Sequence, residues 1–91
     1  MAFEGMDPDQ VEQHGRQLLA ESGNIEHLIQ TITGQVTTLA ASWQGHDSDQ
    51  FHSEWSNTYL RQMQSARDAL HTLGTVALHN ADEQRRTSSG L

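Results

Sequence analysis

Cysteine and lysine are both absent from this 91-residue chain, and proline occurs once. Without a thiol there is no disulfide framework, no cysteine nucleophile and no cysteine-based zinc module. Without lysine, five arginines face twelve carboxylates, for a formal charge of −7. Nucleic-acid binding rests on a basic footprint laid over the phosphates, so DNA and RNA drop out as partners. No apolar run approaches the roughly 20 residues that span a bilayer. The stretch Met1-Ala2-Phe3-Glu4-Gly5 has neither the basic nor the apolar region of a cleaved Sec-type signal peptide. Apolar residues make up 34% of the chain, against roughly 45–50% in ordinary globular proteins. A core this thin, in a single small domain, needs a partner surface to complete it.

What is present is helical patterning. Asp7-Pro8-Asp9-Gln10 and Asp47-Ser48-Asp49-Gln50 open alike. Each reads as an N-cap aspartate, acidic residues beside the positive helix end and a glutamine at N3. Pro8 falls at N1, where its missing N–H costs nothing. After the first start, Val11, Leu18, Ile25, Ile32 and Leu39 recur every seven residues, with Gly15, Ser22, Ile29, Val36 and Trp43 four positions behind them. That alternating spacing is a heptad seam of about five repeats. After the second start, Tyr59, Met63, Ala66, Leu70, Leu73 and Ala77 repeat the spacing. A flanking row of Trp55, Ala69 and Val76 widens the stripe, and Phe51 extends it toward the break between the helices. Ser22-Gly23-Asn24 favours a turn, but the heptad phase runs through it without a skip, so one continuous helix is expected.

The strongest interior break is Trp43-Gln44-Gly45-His46-Asp47-Ser48. Gly45 is expected at C′, in the left-handed conformation that ends a helix without Cβ strain. The expected organisation is a flexible start over residues 1–6 and a helical hairpin over 7–83. Within it, helix 1 covers about 8–42, a turn 43–47 and helix 2 about 48–81, followed by a disordered tail over 84–91. So short a connection forces antiparallel neighbours. The fold class is all-α. Both helices keep apolar rows beside the seam, and pairing two hairpins into a four-helix bundle covers them. The expected core and dimer interface comprises Leu18, Ile25, Ile29, Ile32, Val36, Leu39, Phe51, Trp55, Tyr59, Met63, Leu70, Leu73 and Val76.

Chemistry is sparse. Six histidines invite a metal site, with His14 falling near His79 at the open end of the hairpin, but no His pair sits at i, i+3 or i, i+4. Solvated surface histidines are the expectation, with no metal and no cofactor. No strand–turn–helix nucleophile elbow and no glycine-rich phosphate loop is present, so the chain is not expected to be an enzyme.

An acidic chain of this size, with two heptad helices and Trp43-Gln44-Gly45 in the joining turn, resembles the Trp-x-Gly (WXG-hundred, ESAT-like) family of small type VII secretion substrates. The resemblance covers about Asp7 to Glu83, and Phe51 and Trp55 match aromatic positions early in the family's second helix. It implies export without a cleaved signal peptide, as a folded homodimer or heterodimer with a related hairpin, from Gram-positive or actinobacterial cells. It implies recognition by a membrane-bound secretion ATPase that reads two elements: the Trp-x-Gly turn, here Trp43 and Gly45, and a C-terminal Tyr-x-x-x-Asp/Glu. The second element departs from the pattern. The only tyrosine, Tyr59, is followed four residues later by Met63, and the nearest equivalent is His79-Asn80-Ala81-Asp82-Glu83. Either His79 and Glu83 form a degenerate signal, or the chain is the signal-less half of a heterodimer, the reading preferred at this level. The alternatives outside the family are a cytoplasmic homodimeric scaffold or regulatory module and, further off, a metal-binding bundle.

Overall fold

The computed structural model describes residues 6–89 and the side chains of residues 6–87. Residues 1–5 and 90–91, which include most of the expected flexible start and the end of the expected tail, lie outside the described residues. The described chain is an all-helical hairpin, a rod of 68 × 16 × 16 Å. Helix α1 (Pro8–Ser42) forms one arm. The other arm is α2 (His46–Glu54), a π-helical turn (Trp55–Tyr59) and α3 (Leu60–Ser89), continuous with one another. At about 1.5 Å per residue α1 alone is about 50 Å long. No helix among the described residues is long and apolar enough to cross a membrane.

Local chemistry sets the start of α1. The Asp7 carboxylate accepts from the amides of Asp9 at 3.0 Å and Gln10 at 3.4 Å, and Pro8 occupies the first turn. The helix then passes through Ser22-Gly23-Asn24 without interruption. Its seam is the row Gly15, Ser22, Ile29 and Val36, all four buried.

The corner is tighter than the sequence pattern implies. Only Trp43, Gln44 and Gly45 lie between α1 and α2, so the second arm starts at His46 instead of at Ser48, behind an Asp47 cap. Gly45 is the N-cap of α2 and not the left-handed C′ of α1. Its φ of 119° and ψ of −178° fall in a region open essentially to glycine alone. Trp43 leaves α1 in an extended conformation, and Gly45 swings the chain directly into the next helix. Asp47 and Asp49 then sit in the first turn, against the positive end of the helix dipole.

The second arm packs in a different phase from the one expected. Tyr59 and Leu73 are exposed, at 52% and 55%, and so are Ala66, Ala69 and Val76. The residues turned inward are Leu60, Met63, Arg67, Leu70, Gly74, Ala77 and Ala81. Two features cause the shift. The π-helical turn, in which the Leu60 amide donates to the Trp55 carbonyl, inserts one residue into the heptad. Trp55 is therefore buried while Ala69 and Val76, expected on its row, are not. The second feature is contact between glycines. A Cβ built on Gly74 would lie 2.8 Å from the Gly15 carbonyl oxygen and 2.8 Å from Leu19 Cγ. The helices touch backbone to side chain here, and a glycine, not the neighbouring leucine, occupies the contact.

The far end of the second arm also differs. The helix continues to Ser89, beyond the expected end at Ala81 and into the stretch expected to be disordered. Arg85 reaches across to Asp9 at 2.7 Å and Glu12 at 2.6 Å, tying the last turns to the start of α1. Arg86 pairs with Asp82 one turn back at 2.9 Å.

Gly74→Ala is expected to lower stability by about 1–3 kcal/mol, because the clash involves backbone that has nowhere to move. Gly23→Ala meets open space in a helix interior and is expected to raise stability by up to about 1 kcal/mol. Urea unfolding midpoints of the two variants check both signs.

Candidate functional site

Two elements singled out from the sequence lie at opposite ends of the rod. At the closed end, Trp43 caps α1 with its indole 40% exposed. Its ring centroid is 5.7 Å from that of Phe51, at an interplanar angle of 51°. Phe51 and Leu39 are exposed beside it. The corner is thus an open aromatic patch mounted on a backbone kink that requires Gly45. Trp43 does not plug the end of the core.

The plug is the other tryptophan. Trp55 is 8% exposed, and its indole N–H donates to Thr33 Oγ1 of α1 at 3.2 Å. A large apolar body with one satisfied donor is well suited to closing a thin core. Ser48, also buried, lies about two turns further toward the corner.

At the open end, His79 and Glu83 are exposed on consecutive turns of α3, with His79 Nε2 4.0 Å from Glu83 Oε2. Glu83 also approaches Arg86 at 3.8 Å. The Arg85 clasp to Asp9 and Glu12 holds this segment helical against α1. The hairpin does not bring His79 and Glu83 near Trp43 and Gly45.

Of the expected interface, Ile29, Val36 and Trp55 are buried within the hairpin. Leu18, Ile25, Ile32, Met63 and Leu70 are half-buried along its seam. Leu39, Phe51, Tyr59, Leu73 and Val76 are exposed, as is Leu28.

Electrostatics divide the rod lengthwise. Arg67, whose backbone carbonyl accepts from Ser22 Oγ at 3.0 Å, pairs across the seam with Glu26, and Arg85 pairs with Asp9 and Glu12. These cross-helix pairs all lie on one side of the seam. Sequence periodicity missed Arg67 because a charged residue at a seam position breaks the apolar pattern. The signal available was Glu26, placed on α1 where the antiparallel register sets Arg67 opposite. The Arg67 guanidinium and the Gln30 amide hold the Glu26 carboxyl below its ordinary 4.5, and Arg16 and then Arg85 do the same for Glu12. Among the described residues, no three His, Asp or Glu side chains converge to hold a metal. A groove of about 710 Å³ on the outside of α1, lined by Thr31, Gly34, Gln35, Thr38, Leu39 and Ser42, contains no acid or base.

The family model described as "WXG100: Proteins of 100 residues with WXG" matches residues 5–87. No curated protein and no solved structure shows a significant match to the chain.

Because Glu12 and Glu26 have lowered folded-state values, their stabilisation is present above the ordinary 4.5 and is lost as pH falls through the lower folded values. The melting temperature is expected to drop as pH is taken from 6 toward 3, and Glu26→Gln should flatten part of that dependence. The tryptophans should separate cleanly in thermal melts. Trp55→Ala is expected to cost about 3–5 kcal/mol, the usual figure for a buried aromatic. Trp43→Ala, made at an exposed site, should cost less than about 1 kcal/mol.

Proposed function

Because the chain belongs to the WXG100 family over nearly its whole length, we propose that it is a small protein exported as a folded dimer by a type VII secretion system. It acts there as a substrate or adaptor subunit and not as an enzyme. It is cytoplasmic before export, is secreted without a cleaved signal peptide, and is handled by the membrane-bound secretion ATPase. Members of the family typically form helical-hairpin dimers, and two hairpins here make a four-helix bundle.

The observation that carries this reading is the placement of Trp43-Gln44-Gly45. The motif is the whole connection between two long helical arms, and it presents its tryptophan instead of burying it. A structural role alone is met by Trp55, which leaves the exposed indole of Trp43 available to a partner surface. His79 and Glu83 supply the second element in degenerate form, exposed and one turn apart. They stand far along the rod from Trp43 of the same chain, so the two elements become neighbours only when a second hairpin lies alongside in the opposite direction.

The test is the protein's level in culture supernatant from strains with and without a functional type VII ATPase. The chain is expected in the first and missing from the second, while it accumulates in cells of both. Equal supernatant levels overturn the reading. Trp43→Arg should abolish export with helical content retained, since the indole it replaces is not core; normal export of this variant removes the role given to the corner.

A further inference from the structure

The last turns of the second arm are tied to the first by charge alone. Apolar packing between the arms ends at Ala81, which is fully buried. Upstream of it, Ala77 and Leu78 lie against Gly15 and fix the helix in place. From 82 to 89 the sequence offers no apolar side chain, and Thr87, Ser88 and Ser89 are weak helix formers. Arg86 pairs within its own helix, with Asp82 at 2.9 Å and Glu83 at 3.8 Å. Among the described residues, the ion pairs that join this segment to α1 are those of Arg85, 2.7 Å from Asp9 and 2.6 Å from Glu12.

We propose that residues 82–89 form an acid-released latch. While Asp9 and Glu12 are ionised, Arg85 holds the segment helical against α1; when they are protonated, the segment detaches and unwinds from Ala81 onward, with the rest of the hairpin still folded. Exposed ion pairs are individually weak, so the closed and open forms lie close in free energy and the loss of two charges decides between them. The surrounding groups push the same way. On α1 the clasp is faced by Asp7, Asp9, Glu12 and Arg16, and on α3 by His79, Asp82, Glu83 and Arg86. Arg16 shares the Glu12 carboxylate with Arg85, at 2.6 Å, so protonation of Glu12 leaves two guanidiniums without the anion between them. Protonation of Asp82 and Glu83 frees Arg86 as well, and protonation of His79 adds one more positive charge. Asp7, which caps α1 by accepting from the amides of Asp9 and Gln10, loses strength as an acceptor in the same range. Arg16 and then Arg85 hold the Glu12 carboxyl below 4.5, so its share of the clasp is complete above that value and is lost as pH falls through the lower folded one. Opening has a consequence that rests on the export reading above. His79 lies before the break and Glu83 after it, so the pair exists as one helical surface only while the latch is closed.

Amide-resolved NMR of the full chain tests the latch. At about pH 7 residues 82–89 are expected to show helical Cα shifts and rigid amides. At about pH 3.5 they should show coil shifts and fast motion, while residues up to Ala81 keep helical values. Arg85→Gln should have the open tail already at neutral pH, and so should Asp9→Asn combined with Glu12→Gln, whose tail should no longer respond to acid. Arg16→Gln, which leaves both contacts of Arg85 in place, should stay closed at neutral pH. A tail that remains helical in Arg85→Gln, or in the unaltered chain at the lower pH, overturns the inference. So does a tail that unwinds only together with the whole hairpin. Each of these results leaves the export reading standing, whereas ATPase-independent appearance in the supernatant defeats that reading and leaves the latch intact.

Discussion

Two helices share one seam, and here that seam is narrow. Its buried apolar side chains are Ile29, Val36, Trp55 and Ala81. Burying a valine or isoleucine side chain stabilises by about 1.5–3 kcal/mol and an alanine methyl by less, so the four together hold a long rod with little to spare. The seam compensates by closeness. Gly15 lies against Gly74, Ser22 is small enough to donate to the Arg67 carbonyl, and Trp55 fills the gap near the corner. Close approach fixes the rotation of each arm about its own axis. That rotation decides which rows face solvent, and the leftover apolar side is a consequence of where the glycines fall.

The ion pairs follow from the same geometry. With the arms this close, Glu26 and Arg67, and Glu12 and Arg85, come within reach along one side of the seam. Such exposed pairs contribute little individually. Their larger effect is directional, since they gather charge on one face and leave the other nearly bare. A chain with a large negative charge is thereby given a surface on which association does not bring like charges together.

The legible parts of the fold are those where the local pattern and the tertiary contacts agree. The first arm could be read directly because its heptad runs from Val11 to Leu39 without insertion, and its cap, Asp7, acts only on its own first turn. The second arm misled for two physical reasons. A π-helical turn adds a residue that no hydropathy pattern marks, and the position of closest approach is occupied by Gly74, which scores as nothing, beside Leu73, which scores as core. The extension to Ser89 was invisible because Arg85 is held by residues some seventy positions away. Of the candidate site, the corner was legible as a motif, but the division of labour between the tryptophans was not. A tryptophan at a helix end reads as core whether or not the chain beyond it folds back to cover it.

That division bears on why the second arm stays helical to its last described turns. On the proposed reading, a secretion machine recognises two elements that belong to different copies, one at a corner and one on a terminal turn. Elements held far apart along one chain gain a fixed relation only if both arms are rigid and the pairing has a single register. A flexible tail after Ala81 would meet the first requirement poorly, since His79 and Glu83 would lose their one-turn spacing as the helix frayed. The Arg85 clasp removes that freedom by anchoring the last turns to Asp9 and Glu12. On that reading, the cross-helix pairs that tie the last turns to α1 are what keep His79 and Glu83 at a fixed place on the rod.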